Sequence, residues 1–251
     1  MRYLLKRHPL PVTAFFRHCL VLAYAFPRDL LQPLLSPGLL LDTYGEYGFL
    51  AIALVQTERL RPTLLPSVFG SNFFLAGYRI FTRLEGGTKC HRGLRVLRSE
   101  TDKRSMVRGG NLLTHYRYGL CQIEVTETPG AIRWSVRTPQ KQADLDVLAK
   151  IRVAAAPLPD GSPFKSEADA RRFAGPLPYT FDYEPETHSI IRIRAVRRGW
   201  NPHPVAVHVY KNTFLQQEPF CRATPILANA FYAHDVAYRW EKGVRTPLID
   251  E

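Results

Sequence analysis

Alternating apolar and polar positions predict a β-hairpin in the middle of the chain. Residues 72–84 are rich in aromatic and branched side chains, and they lead into Glu85-Gly86-Gly87, where glycine supplies the positive φ that a tight turn needs. The return arm, residues 89–98, has apolar residues at alternate positions, with a slip of one residue at Leu97. Two paired strands are therefore expected here.

A short helix and a further strand are predicted directly after the hairpin. Residues 99–102 offer side chains that cap helices. Residues 103–113 have helical character, although Gly109 and Gly110 each cost about 1 kcal/mol in a helix interior. Residues 115–125 then return to an extended pattern.

Elsewhere the pattern predicts short elements separated by turns. Pro27 suits the start of a helix over residues 27–35, and Ser166 and Gly175 bound a second helix. The other predicted strands are residues 15–24, 131–137, 179–183, 189–196 and 205–210.

Three further segments are less regular. Residues 39–43 and 49–57 are expected to pair as a hairpin across the turn between them. Residues 59–66 are expected to form a loop, because two prolines so close together do not fit inside a sheet ladder. Residues 226–240 form a strand or a helix, and the pattern does not decide between them.

Length and composition favour one large β-rich domain. The chain has 251 residues and no dividing linker, so we expect a single domain over residues 1–251. No apolar run approaches the roughly 20 residues that cross a bilayer, so no membrane partner is expected. Pro9, Pro11, Arg17 and His18 interrupt the apolar N-terminal stretch, which argues against a cleaved signal. Widely spaced cysteines without a C-x-x-C pair favour a cytoplasmic protein.

The charge balance raises the question of an anionic partner. Lys and Arg number 34 against 22 Asp and Glu, which gives a net charge of +12. Such a balance is typical of proteins that bind nucleic acids or other anions. The basic residues are scattered along strands, however, and no nucleic-acid-binding motif accompanies them. A basic solvated surface is the simpler interpretation.

No pattern in the sequence indicates a metal site or a cofactor. No P-loop, dinucleotide fingerprint or nucleophile elbow is present, and neither the carboxylates nor the histidines have a suitable spacing. We therefore expect no metal and no cofactor. The residues considered are Asp42, Asp182, Glu184 and Asp235, and His188, His203, His208 and His234.

Several segments resemble a domain family related to acetoacetate decarboxylase. They are the helix and the phrase Leu35-Ser36-Pro37-Gly38-Leu39 within residues 27–41, Arg61-Pro62 with Leu65-Pro66, the hairpin and helix, and His115-Tyr116-Arg117-Tyr118. The first half of the chain matches well, and the second half matches only by its strand pattern. The resemblance implies an α+β, mainly β fold: an antiparallel β cone or closed barrel around a central cavity, with short peripheral helices.

The catalytic lysine of that family is missing from this sequence. In acetoacetate decarboxylase, a lysine in an apolar pocket beside a second cationic group forms a Schiff base with the keto acid. The positions that correspond to the lysine pair are Tyr118 and Gly119 here. The family's acidic residue on the hairpin is also missing, since the matching segment reads Phe73-Phe74-Leu75-Ala76. Lys103 is the only lysine within residues 103–125, and it precedes the helix. Schiff-base decarboxylation is therefore not expected.

The candidate ligand-binding residues are Arg61, His115, Tyr116 and Tyr118. Arginine can hold a carboxylate or phosphate through two parallel hydrogen bonds, tyrosine can orient a carbonyl, and histidine can exchange a proton near neutral pH. Each residue also has a plainer interpretation: His115 as strand packing, both tyrosines as core residues and Arg61 as loop structure. Arg117 lies between the tyrosines and is expected on the surface.

These observations favour a protein that binds a small anionic or carbonyl-containing molecule in a central cavity, without Schiff-base decarboxylase activity. One alternative is a lyase- or hydrolase-type enzyme that uses His115 and Tyr118 for acid–base chemistry in the same cavity. A second alternative is a basic nucleic-acid-binding module. The sequence does not establish catalysis, and it is compatible with an oligomer.

Overall fold

Strands make up most of the computed structural model, which describes residues 2–86, 89–151 and 156–248. The first eight strands are β1 (Val12–Pro27), β2 (Leu39–Leu41), β3 (Thr43–Tyr44), β4 (Tyr47–Pro62), β5 (Ser71–Gly86), β6 (Lys89–Thr101), β7 (Tyr118–Leu120) and β8 (Gln122–Thr128). The other eight are β9 (Ala131–Arg137), β10 (Leu145–Lys150), β11 (Tyr179–Glu184), β12 (Ser189–Arg198), β13 (His203–Pro204), β14 (Ala206–Asn212), β15 (Ile226–Trp240) and β16 (Val244–Pro247).

The helices are few and short. The α-helices are α1 (Arg28–Leu31), α2 (Arg104–Leu113) and α3 (Glu167–Ala174). The 3₁₀ helices are Arg2–Arg7, Gln32–Leu34, Ser67–Phe69, Pro185–Thr187 and Phe220–Arg222. Within the described ranges, no helix is long and apolar enough to cross a membrane.

The larger sheet closes into a ring. Its strands follow the order β15, β1, β4, β5, β6, β11 and β12, and β12 pairs again with β15. Neighbouring strands are antiparallel except at β6, which is parallel to β11 and to the short strand β7. A second, antiparallel sheet has the order β14, β10, β9 and β8. The mainly β fold with short helices is thereby confirmed.

Strands β1, β4 and β5 have two different apolar faces. Because side chains alternate along a strand, one face of each strand packs against the second sheet and the other faces the inside of the ring. The outward face carries large residues such as Ile52 and the fully buried Tyr78, which share a core with Trp134 of the second sheet. The inward face carries smaller residues, among them Ala53 and Gly77, which lie opposite each other.

The slip at Leu97 is a β-bulge. Tyr78 pairs with Arg98, whereas the next residue, Arg79, pairs with Val96, so Leu97 is the extra residue in β6. The bulge lets Val96 face the interior of the ring while Leu97 packs against the core beside the second sheet. The slip in the alternation at Leu97 thus marks the point at which apolar residues of β6 change from one face of the sheet to the other.

Two predicted connections were wrong. The segment Leu39–Leu41 pairs with β5, and only Thr43–Tyr44 forms a hairpin with β4. The expected loop over residues 59–66 begins only after Pro62, because β4 continues along β1 to the pair between Val12 and Pro62. Proline is tolerated there because it is the last residue of the strand.

Other predictions also needed correction. Residues 115–125 do not form one strand, since β7 joins the ring and β8 joins the second sheet, with Cys121 between them. The start of α2 has no side-chain cap, and Asp102 instead accepts a hydrogen bond from the Phe74 backbone at 2.8 Å. Residues 226–240 are a strand. Gly87, in the predicted hairpin turn, lies outside the described residues.

Candidate functional site

The ring encloses a cavity of about 300 Å³, which is within the range of small-molecule sites. Leu10 and Leu113 line it and are 55% and 39% exposed, so the cavity is open to solvent beside them. We call this end the mouth. At the opposite end, the ring of Phe49 lies 5.2 Å from Phe164 and 5.1 Å from Phe173, which closes the interior with aromatic side chains.

Small side chains on the inward faces of β4 and β5 leave the space for this cavity. Ala53 lies opposite Gly77, and Ala51 lies opposite Arg79, in consecutive inward-facing positions. Larger residues here would fill the ring, as Phe49 and Phe81 do at the closed end. The cavity is therefore a consequence of which residues occupy one face of two adjacent strands.

Arg79 brings a charge into this mostly apolar interior. A Cβ atom at Gly77 would lie 2.7 Å from the Nη2 atom of Arg79, so the guanidinium lies over the glycine. Arg79 lines the cavity and makes no hydrogen bond or ion pair with any residue in the described part of the chain. Its charge opposes the effect of burial, which raises the pKa of the Cys19 thiol to about 11. The cavity thus contains a cation without a protein counter-ion in these ranges.

Tyr118 presents a second polar group to the same space. The side-chain amide of Asn111 donates to the Tyr118 carbonyl at 2.9 Å and accepts from its backbone N–H at 2.8 Å, which fixes this residue after α2. The ring packs on Gly110, where a Cβ atom would lie 2.4 Å from the ring. Burial raises the pKa of Tyr118 while the nearby Arg79 charge opposes this, so the hydroxyl is a donor at neutral pH. Within the described ranges, this hydroxyl has no hydrogen-bond partner.

Two further polar groups, Tyr116 and Asp182, are buried at or near the cavity wall: Tyr116 lines the cavity, and the field of Asp182 acts on its hydroxyl group. The ring of Tyr116 lies 6.2 Å from that of Tyr118, and its buried hydroxyl makes no well-formed hydrogen bond to the described residues. Burial raises the pKa of Asp182 to about 7, and the field of Arg95, the backbone of His115 and the field of Arg117 oppose that rise. Near neutral pH this carboxyl group therefore carries only part of a negative charge.

A second arginine in the cavity wall is already engaged. Arg197 donates to the Leu177 carbonyl at 2.8 Å and to the Tyr238 hydroxyl at 3.0 Å. Its guanidinium also lies 5.5 Å from the ring centre of Trp200. Arg197 is therefore held in place by protein groups, which distinguishes it from Arg79.

The structure brings three of the four sequence-predicted residues to the cavity. Tyr116, Tyr118 and Arg61 line it. Arg61 donates to the carbonyl oxygens of Leu65 at 3.0 Å and Arg59 at 2.9 Å, so its guanidinium supports the loop after β4. Ligand binding by these residues stays a prediction.

The fourth residue, His115, lies away from the cavity lining. It is half-buried, and burial lowers the pKa of its imidazole. Its Nε2 atom is buried and has no hydrogen-bond partner among the described residues. Arg117 is exposed, as the sequence indicated. Arg79 was missed, and the available signal was its position two residues after Gly77 on the inward face of a strand.

Comparison with known proteins places the chain in a family. A family model named DUF2071 and described as an uncharacterized conserved protein matches residues 13–237. The chain belongs to the DUF2071 family. No curated protein matches it.

Solved structures show that this DUF2071 chain has the fold of acetoacetate decarboxylase. The acetoacetate decarboxylase of Legionella pneumophila is 12% identical, with a TM-score of 0.62, covering 95% of this chain and 88% of that one. An acetoacetate decarboxylase-like enzyme from Sphingomonas wittichii is 14% identical, with a TM-score of 0.62 and coverage of 95% and 94%. The enduracididine biosynthesis enzyme MppR, complexed with pyruvate, is 11% identical, with a TM-score of 0.60 and coverage of 94% and 90%.

The two adjacent glycines of α2 are expected to respond oppositely to substitution. Gly109→Ala meets no atom within 4 Å, so it should stabilise the protein by up to about 1 kcal/mol through helix propensity. Gly110→Ala would press on the Tyr118 ring and should destabilise by about 1–3 kcal/mol. Urea denaturation of both variants measures the difference, and equal effects would contradict the packing of Tyr118 on Gly110.

Stability is expected to depend on pH through Asp182. Its pKa is about 7 in the folded chain against the ordinary value of 3.8, so the folded state retains a proton that the unfolded state has released. Stability from this group is present below about pH 4 and is lost as the pH rises to about 7. Asp182→Asn should therefore gain stability over wild type between about pH 5 and 8, on the order of a few kcal/mol.

Denaturant unfolding of wild type and of the Asp182→Asn variant, at about pH 5 and at about pH 8, tests this expectation. Asp146→Asn is the matched control, since the hydrogen bond from Arg133 lowers the pKa of Asp146 and this group stays ionised across the range. A difference from wild type that is the same at both pH values for Asp182→Asn would show that Asp182 does not titrate there.

Proposed function

We propose that this DUF2071 protein binds a small molecule carrying a carboxylate in the cavity of the ring. The observation that carries the proposal is the Arg79 guanidinium, which faces the cavity without a hydrogen bond or ion pair to the described residues. Arg79 is half-buried, and a cation that is partly removed from water gains from pairing with an anion. A ligand carboxylate would supply the missing partner through two parallel hydrogen bonds.

Tyr118 extends the proposed anion site. It lies at the position that corresponds by resemblance to the Schiff-base lysine of acetoacetate decarboxylase, and its hydroxyl is a neutral donor. It can donate to the ligand carboxylate or to an adjacent carbonyl oxygen. No lysine lines the cavity within the described ranges, which supports binding without Schiff-base chemistry. The pyruvate complex of MppR is consistent with an anionic, carbonyl-containing ligand in this fold.

The two alternative functions have less support. Acid–base catalysis by His115 and Tyr118 would need both groups at the cavity, and His115 is not part of its lining. Nucleic-acid binding would need free surface cations. Several are instead paired with carboxylates, as Arg17 is with Glu58 at 3.2 Å and Arg133 with Asp146 at 2.8 Å.

Removal of the Arg79 charge is expected to weaken carboxylate binding. Arg79→Met should reduce the affinity for butanoate, octanoate and pyruvate by roughly ten- to a hundredfold, since hydrogen bonds to charged groups contribute about 1.5–3 kcal/mol. Isothermal titration calorimetry measures the affinities, and thermal melting confirms that the variant is folded. Octanamide, which has no charge, should bind wild type and variant equally.

Two further variants sharpen this test. Arg222→Met removes an exposed arginine outside the cavity lining and should leave binding unchanged. Gly77→Ala keeps the Arg79 charge but displaces the guanidinium, whose flexible end is the only group that the new methyl meets within 3.1 Å, so it should weaken binding with little loss of stability. If no carboxylate binds wild type, or if Arg79→Met binds as tightly as wild type, the proposal is wrong.

A further inference from the structure

We infer that the ligand is an amphipathic monocarboxylate, with its carboxylate at Arg79 and Tyr118 and an apolar chain that runs toward the mouth. This inference rests on the proposed function and specifies its ligand class. Three features of the cavity support it: the depth of the cation, the apolar wall between the cation and the mouth, and the volume.

The cation lies deep in the cavity. The guanidinium of Arg79 lies over Gly77, which is level with Ala53 on the neighbouring strand. Along β4, Thr57 is the lining position nearer the mouth and lies four positions after Ala53, so at about 3.3 Å per residue this distance is roughly 13 Å. Beyond Arg79 the aromatic cluster around Phe49 closes the interior. A ligand anchored at Arg79 therefore has aromatic side chains on one side and the way to the mouth on the other.

The part of the wall that β1, β4 and β5 form between these two levels is apolar. Cys19, Val55 and Leu75 are adjacent on β1, β4 and β5 and belong to one buried cluster. Burial raises the pKa of the Cys19 thiol to about 11, so this group is neutral. A short anion such as pyruvate would leave this wall in contact with water, whereas a hydrocarbon chain would cover it. Leu10 and Leu113 continue the apolar lining to the opening.

The volume limits the length of the chain. A cavity of about 300 Å³ is at the small end of the range for small-molecule sites, so a medium-length chain such as that of octanoate suits it better than a longer one. Small residues make this room, since Ala51, Ala53 and Gly77 line the face that larger side chains would fill.

A chain-length series tests the inference. Titration calorimetry with pyruvate, butanoate, hexanoate, octanoate and dodecanoate should show affinity rising about fourfold per methylene, which corresponds to about 0.8 kcal/mol for each buried CH₂. The rise should end near eight carbons, and pyruvate should bind much more weakly than octanoate. Octanamide should bind more weakly than octanoate, since it lacks the charge.

Changes in the wall should alter the preferred length. Ala53→Leu adds volume beside Gly77 and should shift the optimum to shorter acids, whereas Val55→Ala removes volume and should shift it to longer ones. Ala206→Leu, the same substitution at an exposed position of β14, should leave the series unchanged. If Ala53→Leu does not fold, the shift in Val55→Ala and the wild-type series still decide the question.

The outcomes separate the inference from the proposed function. Affinity that does not rise with chain length, or pyruvate binding as tightly as octanoate, overturns the amphipathic ligand while carboxylate binding at Arg79 stands. Binding of octanamide as tightly as octanoate, in wild type and in Arg79→Met alike, overturns both. A length optimum that shifts with the wall variants and depends on Arg79 supports both.

Discussion

The fold depends on the packing of one face of β1, β4 and β5 against the second sheet. Large side chains on that face, among them Leu20, Ile52 and Tyr78, are fully buried together with Trp134 of the second sheet. Burial of each such side chain stabilises the fold by about 1.5–3 kcal/mol, so these strands gain much hydrophobic stabilisation from outside the ring. The inward face is thereby free to carry alanine and glycine. A cavity can exist inside the ring because the ring does not depend on a filled interior.

The difference between the outward and the inward face also explains where a charged side chain can lie. Arg79 is on the inward face, next to residues too small to displace its guanidinium, and its long side chain reaches back over Gly77. An arginine at the fully buried position of Tyr78, whose ring lies 4.1 Å from that of Phe214, would have no space. The carboxyl group of Asp182, whose field acts on the hydroxyl groups of Tyr116 and Tyr118, holds a proton below about pH 7. It therefore adds least negative charge to these surroundings at acidic pH.

Local patterns in the sequence predicted the positions of strands and helices better than they predicted which strands pair. Alternation identified the strands of the central hairpin, and Ser166 correctly marked the start of α3, where it accepts a hydrogen bond from Asp169 at 3.1 Å. The partner of Leu39–Leu41 was wrong, because pairing with β5 joins residues about forty positions apart and leaves no local signal. Closure of the ring between β12 and β15 is non-local in the same way.

The residues of the candidate site were also predictable only in part, because some of them depend on contacts between distant parts of the chain. Tyr116 and Tyr118 were found through the resemblance to a known family. Arg79 was missed because it is one of many basic residues on strands, and its importance depends on which face of β5 is inward. That assignment requires the register with Ala51 and Ala53, which the fold supplies. The need for glycine at position 77 becomes clear only when the position of the Arg79 side chain above it is known.

Neighbouring residues hold the backbone of Tyr118 in place, and they do so independently of the chemistry of its side chain. Both backbone groups of Tyr118 are bound by the Asn111 amide, and Gly110 leaves room for a ring beside α2. A lysine held there would lie in the field of Arg79, which would lower the pKa of its amine, as a second cation does in acetoacetate decarboxylase. With tyrosine, burial outweighs that field, and the group remains a protonated donor. The residue at this position therefore decides whether the pocket offers an amine or a hydroxyl group.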